Sequence, residues 1–442
     1  MKLNKRKVFS SARLIIFGFL GVILIGTFLL MLPVSSRGAG GTGFLDCLFT
    51  ATSATCVTGL VVHDTATYWS PFGQGVILTL IQIGGMGVVT IVITAIMVSG
   101  KKIGVAQRNI MQESISAPKM GGIVKMTGFI IKATACVELL CAAIMFPTFY
   151  KEFGVAKGIW YSIFHSVSAF CNAGFDLMGA KEKYSSFTSY VANPLINIVI
   201  MFLIVFGGLG FFVWDDFRKY KFRFKRYNLQ TKVVLVVSGL LIILPAIYFF
   251  FVDFSNDSSG KRVLESLFQS VTTRTAGFNT VDFGDMSEGG ISLMTVLMLI
   301  GGSPGSTAGG MKTTTVAVLI VTAISIFKKR ENPEMFGRRI SGVVVKNAVA
   351  VFVMYIVLFV TGGLIISTVD DLSVLESFFE SASAIGTVGL TLGVTPGLSD
   401  VSHIVLAIMM FCGRVGGLTL VFAITNAKKI ESKLPLERIT VG

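Results

Sequence analysis

Four short glycine-containing segments are the residues of this sequence best suited to chemistry. They read FTATSATCVTGL at residues 49–60, FHSVSAFCNAGF at 164–175, FQSVTTRTAGFN at 268–279 and FESASAIGTVGL at 379–390. Each begins with phenylalanine, continues through small and polar residues, and reaches a glycine followed by Leu or Phe. The glycines, which recur at intervals of 115, 103 and 112 residues, are Gly59, Gly174, Gly277 and Gly389. A fixed recurrence of this kind indicates repeated structural units.

Glycine at these positions suits the coordination of a cation by backbone oxygens. A chain that turns successive carbonyls toward an ion needs unusual dihedrals, including positive φ, which glycine tolerates. The carbonyls can then replace the ion's water, as in filters built from Thr-Val-Gly loops, and GTVGL at 386–390 nearly repeats that string. No carboxylate follows Glu380 in these segments, so we predict selection by carbonyls. The candidate filter residues are Val57, Thr58, Gly59, Asn172, Ala173, Gly174, Thr275, Ala276, Gly277, Thr387, Val388 and Gly389.

A fifth glycine-rich stretch, GGSPGSTAGGMKT at 301–313, admits two interpretations. A phosphate-binding loop reads G-x4-G-K-[ST], but Met311 separates Gly310 from Lys312, and an apolar helical pattern rather than a strand precedes it. Instead, Pro304 costs about 3 kcal/mol inside a helix and each glycine about 1 kcal/mol. The sequence therefore predicts a break, either a simple kink or a flexible loop. Its residues are Gly301, Gly302, Ser303, Pro304, Gly305, Ser306, Thr307, Ala308, Gly309 and Gly310.

Related glycine pairs occur at 83–87, 206–210 and 412–416, and in the last of them Arg414 replaces the second glycine. Such small residues let helices approach closely. An arginine in a membrane helix costs at least about 2.5–3.5 kcal/mol, so it should face the protein interior and find acceptors. We predict carbonyls or hydroxyls of the broken stretch, such as those of Ser303, Ser306 and Thr307. A structural arginine between helices is the alternative.

The elements that position these residues must lie in a membrane. The 442-residue chain is 53% hydrophobic and 14% charged, with a mean hydropathy of +0.77, which excludes an ordinary soluble domain. Apolar runs at 14–32, 76–98, 191–213 and 343–366 are each near the ~20 residues that cross a hydrocarbon core. The glycine segments are too short to cross, and non-helical backbone survives at that depth only where it lines water or protein. Four of them around one axis predict a pore.

Charge placement predicts how the chain is threaded. The net charge of +14 concentrates in basic clusters at 2–13, 101–108, 218–232, 328–339 and 428–438. Positive loops stay cytoplasmic, so both termini are predicted to be cytoplasmic. Because the spacing of the clusters matches a membrane topology, they are not predicted to bind nucleic acid. The fold is predicted to be an all-α integral membrane protein with eight transmembrane and four re-entrant helices. Its four units are 1–108, 109–228, 229–338, which has a broken second helix, and 339–442, which includes the C-terminal tail.

The four segments in register and the 301–310 loop resemble the Trk/Ktr/HKT superfamily of cation transporters, nearest to the membrane subunit of bacterial Ktr potassium-uptake systems. The resemblance covers nearly the whole chain. It implies potassium uptake across the inner membrane, with potassium as a substrate held only by backbone carbonyls, no catalysis and no cofactor in this chain. It further implies a gate formed by residues 301–310 and Arg414, a homodimer, and a cytosolic nucleotide-binding regulatory ring. The resemblance also allows sodium as an activator of the uptake.

Several alternatives stay open at this point. The sodium-preferring branch often has serine at the first filter glycine, so Gly59 favours potassium, but a sodium-coupled or sodium-permeable symporter remains. A secondary transporter of another solute would predict broken helices in corresponding halves, and the sequence indicates only one. Cys56, Cys171 and Arg274 precede the filter residues, so strict fourfold equivalence is not expected. Glu138 either pairs with a basic neighbour or marks a coupling-ion path.

Overall fold

The computed structural model describes residues 11–38, 40–99, 103–114, 121–417, 419–420, 435, 437 and 439, and these are mostly helical with little sheet. The helices are α1 (Ser11–Leu30), α2 (Phe44–Cys56), α3 (Pro71–Met86), α4 (Val88–Val98), α5 (Val105–Ser114), α6 (Ile123–Phe170), α7 (Pro194–Leu209), α8 (Phe211–Tyr220), α9 (Leu229–Phe251), α10 (Ser259–Thr272), α11 (Glu288–Leu299), α12 (Thr313–Phe327), α13 (Gly342–Asp370), α14 (Val374–Gly386) and α15 (Asp400–Val415). A two-stranded antiparallel hairpin joins β1 (Glu334–Met335) to β2 (Arg338–Arg339).

Within the part of the chain that the structure describes, four helices are long and apolar enough to cross a membrane, judged by length and composition. They are α1, α6, α9 and α13, and the pair formed by α7 and α8, bent by 93°, makes a fifth candidate. The predicted basic clusters at 2–13 and 428–438 and the C-terminal tail lie mostly outside the described residues, as does the start of the cluster at 101–108.

A short helix leads into each glycine segment. These are α2, α10, α14 and the last part of α6, which Gly154 separates from the rest with φ 77° and ψ −179°. The helices α2, α10 and α14 each pack against the long helix that precedes them, α1, α9 and α13 respectively. The glycine segments are therefore buried at the ends of short helices, where main-chain carbonyls lack intrahelical partners.

The helix that follows each segment is interrupted, which corrects the sequence prediction. The runs at 76–98 and 191–213 were expected to be continuous, with only the third unit broken. Instead, Gly87 separates α3 from α4 with φ 84°, and Gly210 separates α7 from α8 with φ 95°. Gly416, with φ 87°, ends α15. Positive φ interrupts a right-handed helix, and glycine is the residue that adopts it at little cost.

Close packing explains why these breaks follow glycine pairs. A Cβ at Gly84 would overlap the carbonyl oxygen of Thr55, and one at Gly207 would overlap that of Phe170. A Cβ at Gly413 would likewise overlap the carbonyl oxygen of Ile385. Each of these carbonyls belongs to the residue four positions before its filter glycine. The second helix therefore touches the end of its own short helix and then changes direction. In the third unit residues 300–312 replace the single-glycine break.

Candidate functional site

The four predicted glycines lie in one closed ring. A Cβ at Gly59 would come within 2.6 Å of the Ala173 carbonyl oxygen, one at Gly174 within 2.9 Å of that of Ala276, and one at Gly277 within 2.5 Å of that of Val388. A Cβ at Gly389 would overlap the carbonyl oxygen of Thr58, which closes the circle. Each glycine thus faces the residue before the next glycine. Only a residue without a side chain leaves room for this approach of backbone to backbone.

A non-glycine residue in the left-handed region stands two positions before each glycine. The φ values are 52° at Val57, 58° at Asn172, 66° at Thr275 and 51° at Thr387, while the glycines have φ from 70° to 99°. The intervening residues do not have positive φ. Such an alternation of handedness turns successive carbonyls toward one side of the chain, which is the arrangement that a carbonyl-lined ion site requires.

Three of these residues, Val57, Thr275 and Thr387, are β-branched. The left-handed backbone conformation costs such residues on the order of 1–3 kcal/mol each. Hydrogen bonds at the helix end hold the first one in place. The N–H of Val57 donates to Ala54 O at 3.2 Å and the N–H of Thr58 to Ser53 O at 2.8 Å. This is the Schellman arrangement, which normally has glycine at the left-handed position. The bonds recur before Gly174 and Gly389, so the helix end imposes the conformation there.

The third segment departs from this pattern because it is one residue shorter. Phe268 precedes Gly277 by nine positions, whereas the corresponding spacing is ten in the other segments. The N–H of Ala276 therefore bonds to Thr272 O, four residues back, at 3.0 Å. Fourfold equivalence is thus broken in the backbone itself. Arg274, in this shorter loop, is buried and donates to Ser238 O at 3.4 Å.

Polar side chains that the sequence analysis did not select brace the loops from behind. The residue after each leading phenylalanine is Thr50, His165, Gln269 or Glu380. His165 accepts from the N–H of Leu177 at 3.0 Å. Glu380 accepts from Thr391 Oγ1 at 2.6 Å, Leu392 N at 3.1 Å and Thr395 Oγ1 at 2.7 Å. The sequence signal that could have identified these four residues is that each directly follows the leading phenylalanine of its segment.

The broken stretch at 301–310 folds as a compact loop against the break between α7 and α8. Its base is closed by the bond from Gly301 N to Met311 O at 2.7 Å. Ser303 N donates to Gly208 O at 3.0 Å, and Phe211 N donates to Gly305 O at 2.7 Å. The backbone groups freed by Pro304 and the glycines thus find partners in the preceding unit.

Arg414 joins this loop to the first unit. Its guanidinium donates to the carbonyl oxygens of Thr307 and Gly84, and to that of Gly85 at 3.1 Å. Of the three acceptors that the sequence suggested, Thr307 is the one it contacts. The Thr307 hydroxyl lies 2.9 Å from Phe170 O and 3.0 Å from Asn172 Oδ1. One residue of the loop therefore links Arg414 to the second glycine segment.

Lys312 is a second cation at this place, which the sequence analysis treated only as a mismatch to a phosphate-binding loop. Its ammonium donates to Ala308 O at 2.8 Å and to Gly309 O at 3.2 Å. Neither Lys312 nor Arg414 has a carboxylate partner among the described residues. Both cations are held by main-chain oxygens alone.

Two cavities adjoin this site, one beside the glycine segments and one beside the 301–310 loop. The acidic cavity has a volume of about 890 Å³ and includes Gly277, Gly389 and residues that follow them. Its charged lining residues are Glu182, Lys183, Asp253, Asp257, Lys261, Glu265, Asp282 and Asp285. The Asp257 carboxylate, which accepts a hydrogen bond from Lys261, raises the pKa of that ammonium. The basic cavity, of about 240 Å³, is lined by the 301–310 loop and the helix breaks, and its charged lining residues in the described chain are Lys312 and Arg414.

The sequence left two roles open for Glu138, pairing with a basic neighbour and marking a coupling-ion path, and the described contacts bear on the first of them. It is buried on α6 and accepts from Gln82 Nε2 at 3.3 Å, so its described partner is an amide and not a basic residue. The side-chain amide oxygen of Gln82 accepts from Cys171 Sγ at 3.6 Å. Glu138 is thereby connected to the end of the second short helix.

Comparison with known proteins agrees with this arrangement. The sequence profile of the TrkH family, described as a cation transport protein, matches residues 13–434. The chain is 41% identical to the potassium/sodium uptake protein NtpJ of Enterococcus hirae, over 100% of this chain and 99% of that one. It is 37% identical to the Ktr system potassium uptake protein B of Bacillus subtilis, over 100% of both. The crystal structure of the potassium transporter TrkH from Vibrio parahaemolyticus superimposes with a TM-score of 0.75 at 19% identity, covering 96% of this chain and 87% of that one.

Proposed function

This chain belongs to the TrkH family of cation transport proteins, and from that premise we propose that it takes up potassium across the cell membrane through a carbonyl selectivity filter. The family is one of membrane transporters and not of enzymes. The observation that carries the proposal is the closed ring of Gly59, Gly174, Gly277 and Gly389, in which only backbone faces backbone. Carbonyl oxygens in that setting replace the water of a weakly hydrated cation.

In the proposed architecture each of the four units, 1–108, 109–228, 229–338 and 339–442, supplies a long helix, a re-entrant short helix with its filter segment, and an interrupted second helix. The eight-span count follows if each interrupted helix crosses the membrane. The short helices then direct their C-terminal ends, which carry partial negative charge, toward the ion. Ktr-type filters would in this way combine oriented dipoles with the carbonyls of residues 57–59, 172–174, 275–277 and 387–389.

We assign the gate to residues 301–310 with Arg414. The contact from Arg414 to Thr307 O, and the contact from Thr307 to Asn172, support this assignment because they tie the loop to a filter segment. A positive charge beneath a cation filter raises the energy of a departing ion by Coulomb repulsion. Lys312 strengthens that barrier, since it lies on the same cavity.

A sodium-permeable or sodium-coupled cation transporter is the second candidate. The relative from Enterococcus hirae is named a potassium/sodium uptake protein. Gly59, which has no side chain to narrow the first filter position, favours potassium in this chain. The secondary transporter of another solute no longer fails for lack of interrupted helices, because all four units have them, but family membership argues against it.

The assembly is a further part of the proposal. The Bacillus subtilis relative is a component of a Ktr system. We propose that this chain likewise forms a homodimer in membrane lipid, binds a cytosolic nucleotide-binding regulatory ring, and has both termini in the cytoplasm. No nucleic-acid partner and no cofactor in this chain are part of the proposal, and sodium is its proposed activator.

Reconstitution tests the function directly. Purified full-length protein in liposomes would be assayed for isotope uptake of potassium, rubidium and sodium under an imposed membrane potential of about 100 mV, which contributes ~2.3 kcal/mol per charge. Potential-driven uptake of potassium and rubidium in preference to sodium is expected. Equal uptake of sodium would replace the proposal with the second candidate, and no uptake of any cation would overturn it.

A further inference from the structure

We infer that the third unit carries an additional alkali-cation site on the acidic cavity, formed by the Glu265 carboxylate and the Gln269 amide oxygen. The inference rests on the proposed uptake function and adds a place where the ion is held before it enters the filter. Both residues lie on α10, and four positions separate them, so they share one helix face.

The first argument is an excess of acceptors without donors. Glu265 is 2% exposed and Gln269 is fully buried. Glu265 Oε2 and Gln269 Oε1 nevertheless have no hydrogen-bond partner among the described residues. Burying such oxygens costs free energy unless something positive or a donor satisfies them. Two neighbouring acceptor oxygens, one of them on a carboxylate, match the ligand chemistry of a hard cation.

The second argument is that the pair adjoins the acidic cavity through Glu265, while Gln269 lies buried behind it. Glu265 lines the acidic cavity, and so does Thr280, to whose Oγ1 the amide nitrogen of Gln269 donates at 3.1 Å. With the amide in this orientation, its oxygen is left without a donor among the described residues. The nitrogen is used on the loop that follows Gly277, and the oxygen stays available to an ion.

Comparison with the fourth unit shows that acceptor oxygens without donors are not a general property of the fold. Glu380 occupies the position that corresponds to Gln269, and both of its oxygens are satisfied by Thr391, Leu392 and Thr395. In the second unit, His165 uses both ring nitrogens, on Tyr161 O at 2.8 Å and on Leu177 N at 3.0 Å. In the third unit, therefore, these acceptor atoms have no described donor, whereas in the second and fourth units they are hydrogen-bonded.

Lys261 sets how strongly the site attracts an ion. Its ammonium lies 3.2 Å from Glu265 Oε1 and 2.8 Å from Asp257 Oδ1. The lysine neutralises one oxygen of Glu265 and leaves the other for the cation. It is 37% exposed on its side chain, so it can swing away into solvent as the ion arrives.

The test is rubidium uptake by the full-length protein in liposomes, measured against external rubidium concentration. Glu265→Gln should raise KM by about tenfold, the effect of one lost charge-assisted contact, and change Vmax by less than about twofold. Lys261→Met should lower KM by about threefold, because the second carboxylate oxygen becomes available. Gln269→Glu, which copies the residue of the fourth unit, should also lower KM.

Asp285→Asn is the matched control, since Asp285 is an exposed residue of the same cavity and loses the same charge. If Asp285→Asn raises KM as much as Glu265→Gln does, the change in KM reflects the total charge of the cavity, and the site is overturned. An unchanged KM in both Glu265→Gln and Gln269→Glu means that water satisfies these oxygens, which also overturns it.

Thallium(I) in crystals of the full-length protein separates this inference from the proposed function. Anomalous density between Glu265 and Gln269, absent in Glu265→Gln, supports the site even where liposomes show no flux and the uptake proposal fails. Density in the filter without density at this place supports the filter and overturns the additional site.

Discussion

The acidic and the basic cavity differ in size and in the sign of the charges that line them. The acidic cavity has about 890 Å³ and six carboxylates against two lysines. The basic cavity has about 240 Å³, and its charged residues are Lys312 and Arg414. On the proposed function, the first would attract cations and the second would repel them.

The difference shows where control can act. A wide, carboxylate-lined cavity raises the local concentration of cations but has no single residue on which passage depends. In the basic cavity, by contrast, the 301–310 loop, Arg414 and Lys312 are joined by a handful of hydrogen bonds to main-chain oxygens. Changes on the basic side should therefore alter the rate of passage, and changes on the acidic side should alter apparent affinity.

The largest expected effect comes from removing the wall of the basic cavity. Deletion of residues 303–309 should raise potassium flux by about a hundredfold, equivalent to about 2.8 kcal/mol of barrier, since it removes the loop proposed as the gate. Flux would be measured in liposomes with protein shown to be monodisperse and inserted. Lower flux in such protein would mean that the loop belongs to the conducting structure.

Arg414→Ala should act in the same direction, and its combination with the deletion should gain less than the product of the two, because both remove one barrier. Arg414→Lys is the control: it keeps the charge but cannot span Thr307 and Gly84 together. Independent effects of the deletion and of Arg414→Ala would show that the contact between them has no energetic role.

The next effect concerns the ring of the four glycines. Gly59→Ser should reduce the preference for potassium over sodium by about tenfold, because the new Cβ comes within 2.6 Å of Ala173 O in a strained backbone with φ 99°. Relative fluxes of the two ions measure it. Gly75→Ser is the matched control, since a Cβ there meets nothing within 4 Å. An unaltered preference in Gly59→Ser would remove Gly59 from the filter.

A smaller effect is expected from Lys312→Met, which keeps the length of the side chain but removes its charge and its bonds to Ala308 O and Gly309 O. Potassium flux should rise by about three- to fivefold, less than with Arg414→Ala, since one of two repelling charges remains. Lys312→Arg serves as the control and should leave the flux near that of the parent chain. A decrease in flux with Lys312→Met would assign the lysine to loop folding instead of the barrier.

The smallest effect tests the acidic cavity. Raising external choline chloride from about 10 mM to 150 mM shortens the Debye length from about 30 Å to 8 Å. The KM for potassium should then rise by about twofold at constant Vmax, because the carboxylates attract cations less. A change in Vmax with constant KM would contradict the division of roles between the two cavities.

Much of this arrangement could be predicted from the sequence because it repeats. Membership in the cation transporter family, predicted from four segments in register, is confirmed by the comparisons, and the mostly helical fold agrees with the apolar composition. The filter and gate residues remain predictions about function, although the ring of glycines and the contact from Arg414 to Thr307 give them a geometry.

The rest depended on tertiary structure. Val57 and Thr387 adopt left-handed dihedrals that β-branched residues normally avoid, and only burial and the closing of the short helix impose them. The interruptions at Gly87 and Gly210 were hidden because glycine pairs in an apolar run predict close packing as well as a break. The missing residue in the third segment, in contrast, was visible in the spacing from Phe268 to Gly277.

That missing residue has a consequence for how such proteins change over generations. In an assembly of four identical subunits, any deletion in the gene alters every quadrant of the ring simultaneously. Here the four segments lie in one chain, so the shorter spacing from Phe268 to Gly277 is confined to one quadrant of the glycine ring. A single mutation in such a chain alters one quadrant, whereas the same mutation in a tetramer of identical subunits alters all four.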